Sequence, residues 1–183
     1  SQDHSNAVAI LIKAGADVEA RDNDGRTPLM WTARRVSLSL PTAILVEAFE
    51  ASMHEGTQED ISPEEEGSLD NFYETMFGGV NGQADVIATL INAGANINAA
   101  DKYGWTPLMC ALAYSHSPEL IESLLKAGAS LEARSEDGST PLILAAKWSS
   151  VPTVIDSLLK AGANAEAEDK QGRTAADHAK NKE

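Results

Sequence analysis

From Val36 to Asp101 the chain has no lysine or arginine, yet that stretch holds twelve acids. Over all 183 residues there are 28 acids against 14 bases, a net charge of -14, so the imbalance is concentrated there. A surface of that sign is poorly suited to neutralising phosphates, which argues against nucleic acid and against an anionic membrane. Cysteine is nearly missing as well. Cys110 stands alone, so no disulfide framework exists, and it reads as a buried, inert thiol. No apolar run approaches the roughly 18 residues of a membrane span. A chain of this length can form one elongated domain without metals or disulfides.

Signs of catalysis are equally scarce. There is no Gly-x-Gly-x-x-Gly, no phosphate loop and no Gly-x-Ser-x-Gly elbow. Carboxylates crowd at Glu55, Glu59, Asp60, Glu64, Glu65, Glu66 and Asp70. A water-exposed loop is a poor place to raise a carboxyl pKa for acid–base work. His4, His54, His116 and His178 lie far apart and read as surface or turn residues rather than converging zinc ligands. Asp22-Asn23-Asp24-Gly25 places its glycine fourth, where a calcium loop needs it sixth, and so reads as a turn. The expectation is a non-enzyme with no cofactor and no metal.

What the chain does have is repetition. Gly25-Arg26-Thr27-Pro28-Leu29, Gly104-Trp105-Thr106-Pro107-Leu108 and Gly138-Ser139-Thr140-Pro141-Leu142 share one phrase, and Gly172-Arg173-Thr174-Ala175-Ala176 is a worn copy. A second phrase, Ala-Gly-Ala, is centred on Gly15, Gly94, Gly128 and Gly162, and the last three are equally spaced. A fixed period in the thirties marks a solenoid in which no unit can bury its apolar face alone. Thr106 is placed to cap a helix whose first residue is Pro107, running from Leu108 to about Tyr114, with Ala111 small enough for a close neighbour. Ser117-Pro118 opens a second helix with an apolar stripe of Leu120, Ile121, Leu124 and Leu125. Gly128 closes it, and a hairpin-like loop with an Asp-Gly turn leads to the next cap.

Asp-x-x-Gly-x-Thr-Pro-Leu followed by Leu-Leu-Lys-Ala-Gly-Ala and Asn/Glu-Ala resembles ankyrin repeats over most of residues 5–183. The resemblance implies an all-α solenoid of helix-turn-helix units joined by hairpin-like loops. Two features depart from the common pattern, and both resemble bacterial-type members. Met30, Met109 and Ile143 stand where a histidine is usual, and the period is one residue longer than 33.

The interval from Thr27 to Thr106 exceeds two regular periods, which allows either one repeat with an insertion or an extra, eroded repeat. The second is preferred here, with Pro41–Phe49 completing the Thr27 repeat and Met76–Ile87 opening the eroded one. The expected organisation of the single domain 1–183 is a half repeat (5–20), a repeat (21–53) and an acidic loop (54–70). An eroded repeat (71–100), two regular repeats (101–134 and 135–168) and a C-terminal cap helix (169–183) follow. Starting inside a second helix without Met implies residues removed upstream and leaves Ile10 and Leu11 poorly covered. The compartment stays open: cytoplasmic, or exported if an N-terminal signal was removed.

The resemblance further implies that loop tips and first-helix ends line a concave recognition face. Carried over residue by residue, its tips are Asn23, Asp24 and Arg26; Lys102, Tyr103 and Trp105; Glu136, Asp137 and Ser139; and Lys170, Gln171 and Arg173. First-helix ends add Arg34, Arg35, Ala113, Tyr114, Lys147 and Trp148. The partner-binding set is Tyr103, Trp105, Tyr114, Trp148, Arg34, Arg35, Lys102 and Lys147, types common at binding hot spots. Trp31 shares a register with Cys110 and Leu144 and is assigned to the interior or to packing against the acidic segment. The reading is a monomeric module binding a protein or peptide, with the acidic segment steering a basic partner. Two alternatives stand beside it: an arm of a larger enzyme or effector, and a structural stack that dimerises through the N-terminal half repeat.

Overall fold

Among the described residues five helices begin on a proline, because a missing N–H costs nothing in a first helical turn. The computed structural model describes residues 3–34, 83–115, 117–148 and 151–180. In chain order its helices are α1 (Asp3–Lys13), α2 (Pro28–Ala33), α3 (Gln83–Asn92), α4 (Pro107–Tyr114), α5 (Pro118–Lys126), α6 (Pro141–Trp148), α7 (Pro152–Lys160) and α8 (Ala175–Lys180). Among the described residues there is no strand, and no helix is long and apolar enough to cross a membrane.

Threonine hydroxyls accept the third amide of the helix they open: Met109 N to Thr106 (3.4 Å), Ile143 N to Thr140 (3.4 Å) and Asp177 N to Thr174 (3.4 Å). Thr27 differs: its Oγ1 is buried and unpartnered. Each second helix ends with its glycine at positive φ, and the following alanine N–H reaches back to the last apolar turn. Ala129 N to Leu124 O and Ala163 N to Leu158 O are both 3.0 Å.

The helices form two layers. First helices stack in the order α2, α4, α6, α8, and second helices in the order α1, α3, α5, α7. The core lies between the layers, built on Leu29, Leu90, Leu108, Leu112, Leu124 and Leu142, none more than 2% exposed. Met30, Met109 and Ile143, where a polar histidine is usual, are fully buried instead. In α1 Ile10 is 64% exposed, while Leu11, also expected to be poorly covered, packs against the core.

Polar contacts couple the repeats at the loops. At the tips, one amide reaches the preceding tip's carbonyl three times: Lys102 N to Asp24 O (2.9 Å), Glu136 N to Tyr103 O (2.7 Å) and Lys170 N to Asp137 O (3.0 Å). Eight residues before each cap, Glu19, Asn98 and Glu132 accept the amides of Asn96, Ser130 and Asn164 in the following repeat. Arg21 and Arg134 each bridge two loops, donating to Gly25 O and Ala100 O, and to Gly138 O and Glu168 O.

These contacts correct the preferred organisation of the middle. The tip at 22–26 bonds directly to the tip at 101–105, α2 packs on α4, and α3 sits between α1 and α5. There is no room for an eroded repeat between them. The repeat opened by Thr27 takes α3 as its second helix, and the extra chain enters between its two helices. The expected second helix Pro41–Phe49, the loop 54–70 and the first helix from Met76 lie outside the described residues. Deleting residues 36–80 restores the regular spacing. The shortened chain should unfold cooperatively, within about 5 °C of the full chain in thermal denaturation, since loop length enters stability only logarithmically. Loss of cooperative folding would show that the extra chain belongs to the stack.

Candidate functional site

The loops are built on an aspartate five residues before the cap. Asp22 Oδ1 accepts the amides of Asp24 and Arg26, Asp101 Oδ1 those of Tyr103 and Trp105, and Asp169 Oδ1 those of Gln171 and Arg173. This is an Asx turn, so Asp22-Asn23-Asp24-Gly25 spends its carboxylates on backbone amides, ion pairs and an indole N–H. In the third tip Ser135 replaces the aspartate, and Asp137 takes over, accepting from Ser135, Ser139 and Lys147. Burial pushes the Asp137 carboxyl up, but Lys147 and the two serines outweigh it and hold it well below the usual range.

Fixing the tips in this way brings aromatic residues from three repeats together. Trp105, at the end of its tip, lies between Tyr114 at the end of α4 (ring centroids 6.0 Å) and Trp148 at the end of α6 (5.5 Å). Both separations are within the range of favourable ring pairing. Tyr114 and Trp148 remain 41% and 45% exposed. The Arg34 guanidinium lies 4.2 Å from the Tyr114 ring centre and 5.2 Å from that of Trp31. Arg26 covers Trp31 at 5.3 Å. The result is a continuous strip, Trp31–Arg34–Tyr114–Trp105–Trp148, running along the edge of first helices and tips.

Beside the strip is a shallow cleft of about 480 Å³, walled by Tyr103, Trp105 and Trp148 and by Glu136, Asp137, Lys170 and Gln171. Tyr103 is 40% exposed and lies under the Lys102 ammonium at 5.0 Å.

The expected binding set is therefore largely gathered, with changes. Trp31 is only partly buried: Cys110 and Leu144 in its register are buried to 1% or less, but the larger indole donates to Asp22 Oδ2 at 3.0 Å, and its expected packing against the acidic segment falls outside the described residues. Lys147 and Lys102 are not free cations. Lys147 bonds Asp137 (2.8 Å) and Ser139 (2.7 Å), and Lys102 pairs with Asp24 at 2.5 Å. His178 is a second correction, being buried rather than at the surface. It stands in the register of Trp31 and gives its Nε2 proton to Asp169 Oδ2 at 2.8 Å. Arg35, Glu55, Glu59, Asp60, Glu64, Glu65, Glu66 and Asp70 lie outside the described residues, as do His54 and His116. The missed signal for Trp31 was its nine-residue spacing from Asp22, repeated by His178 and Asp169.

Burial pushes the Cys110 thiol up to about 12, which leaves no thiolate at neutral pH. Among the described residues no group of three or more His, Cys, Asp and Glu could hold a metal ion.

A family model described as ankyrin repeats (3 copies) matches residues 79–135 and 113–183, together more than half of the chain. Two curated variola virus proteins, both named Ankyrin repeat protein OPG189 and one from isolate Human/India/Ind3/1967, are each 24% identical over 117 residues. The aligned segment is 64% of this chain and 19% of each relative, so the chain spans about a fifth of their length.

Proposed function

This chain belongs to the ankyrin repeat family, and we propose that it grips a protein or peptide partner along the concave face of its repeat stack. Ankyrin repeats generally mediate protein–protein interaction and are generally non-catalytic. One observation carries the finer reading: the strip from Trp31 to Trp148 with its adjoining cleft. Trp, Tyr and Arg concentrate interface energy because they bring large apolar area with few rotors to freeze. Backbone hydrogen bonds fix the tip before any partner arrives, Glu136 N to Tyr103 O from the next tip and Asp101 N to Trp105 O within it, so little ordering cost of the backbone remains. The acidic segment at 55–70 adds long-range attraction for a basic partner, screened by salt over about 10 Å.

The test compares wild type with a Tyr103→Ala, Trp105→Ala, Tyr114→Ala, Trp148→Ala variant whose folding is checked by circular dichroism. Partners recovered by wild type from the source lysate are then titrated against both. Affinity should fall by about a hundredfold in the variant, equivalent to two or more hot-spot residues. A folded variant that holds every partner as tightly as wild type would refute the face. A partner kept by both and released at moderate salt would move recognition to the acidic segment.

A second reading, the binding arm of a larger enzyme or effector, is favoured by one observation: the chain spans about a fifth of the relatives it matches. Sequencing the complete reading frame tests it, and a frame containing only further ankyrin repeats would end it.

A further inference from the structure

The cations on the recognition face are unequal. Arg26 is committed to Asp24 (2.7 Å) and faces Asp101 (3.6 Å), Lys102 to Asp24, Lys147 to Asp137 and Arg173 to Asp169 (3.0 Å). Arg34 and Lys170 have no carboxylate within 4.0 Å among the described residues. Lys170 ends in an exposed ammonium on a flexible stem. Arg34 is held: its guanidinium carbon lies against both Trp31 (5.2 Å) and Tyr114 (4.2 Å) at one end of the strip, and its Nε is buried with no acceptor.

A guanidinium in that state has given up part of its rotamer freedom and hydration, while its buried Nε lacks an acceptor. A carboxylate can accept two parallel N–H bonds from such a fork, an arrangement a point charge like Lys170 cannot offer. The two flanking rings also shield the contact from water, which strengthens it.

We propose that Arg34 is the specificity-determining contact of this face and reads an acidic side chain, Asp or Glu, on the partner protein. The inference rests on the concave-face reading above and adds the partner's chemistry at one point. The partner places a carboxylate at the Trp31–Tyr114 end and apolar or aromatic groups over Trp105 and Trp148. Its net charge is free to be basic, since the acidic segment acts over distance and Arg34 acts only in contact.

Selection of random dodecapeptides displayed on phage against the full chain, followed by fluorescence polarisation of the enriched peptides, tests this. The expected result is enrichment of a fixed Asp or Glu beside apolar residues. Binding should be about tenfold to hundredfold weaker in Arg34→Gln. It should be restored when Arg34→Glu is paired with a peptide whose acid is replaced by Arg. That charge exchange separates recognition from mere support of the ring stack, which either variant disturbs equally. Peptides that need Trp105 and Trp148 but carry no fixed acid, or that bind Arg34→Gln unchanged, overturn the assignment of Arg34 alone. A selection yielding no peptide, or only peptides indifferent to Trp105→Ala and Trp148→Ala, overturns the concave-face reading and this inference together.

Discussion

Gly104→Ala should lower the stability of the chain by about 3–4 kcal/mol, whereas Gly128→Ala should cost only about 1–2 kcal/mol. Both glycines have positive φ, +74° and +90°, so both substitutions pay the left-handed penalty of an L-residue. Their surroundings differ. A Cβ on Gly128 meets nothing within 4 Å, but one on Gly104 meets the carbonyl oxygen of Arg134 at 2.7 Å and Ser135 Cα at 3.2 Å. Those atoms are backbone of the next loop, and that loop is tied by Glu136 N to Tyr103 O at 2.7 Å. Relieving the clash means parting two repeats where they hydrogen-bond. Urea midpoints of the two variants read the difference between these losses directly. Equal losses would show that the tips have slack and that the close approach carries no energy.

Asp169→Asn should cost about 2–4 kcal/mol at neutral pH, because the buried carboxylate serves five donors and the amide turns a donor toward two of them. The donors are the amides of Gln171 and Arg173, two guanidinium nitrogens of Arg173, and His178 Nε2. Burial raises the Asp169 carboxyl, but the bonds from His178, Arg173 and Gln171 prevail and hold it well below the usual range. A carboxyl whose folded pKa is depressed binds its proton more readily when unfolded. Its contribution is therefore fully present above the unfolded value of about 4 and drains away as pH falls below it. Wild type and variant should differ most near pH 7 and converge toward pH 3. A gap in denaturant midpoint that stays constant over that range would mean the charge contributes nothing and only shape was lost.

Much of this was legible because backbone chemistry writes itself into residue type. Pro107 after Thr106 and Gly128 after a Leu-Leu-Lys run have few other readings, and the helices they bracket lie at Pro107–Tyr114 and Pro118–Lys126. The convergence of Trp105, Tyr114 and Trp148 was also readable, because tips and first-helix ends recur in fixed register. The repeat count in the middle was not, since the interval from Thr27 to Thr106 divides either way. The absence of a second Ala-Gly-Ala between Gly15 and Gly94 favoured the insertion, but weak helical patterning at 41–49 and 76–87 concealed it. Trp31 and His178 failed for a shared reason. Register tells which way a Cα–Cβ bond points, but not what a ring N–H must do when no acceptor lies in the core. Each turned toward the aspartate nine residues earlier.

Entry of the extra chain between α2 and α3 has a consequence for how such a molecule can change over generations. The two sides of the stack obey different rules on length. On the tip side one added residue would put successive rungs out of step, so variation there is confined to side-chain identity, as at Lys102, Glu136 and Lys170. On the opposite side the turn between a repeat's two helices works as a port. The sequence between α2 and α3 is tens of residues longer than that between α4 and α5, yet the neighbouring repeats still meet tip to tip, Lys102 N to Asp24 O. New sequence can therefore be acquired between a repeat's two helices while the tips keep their register.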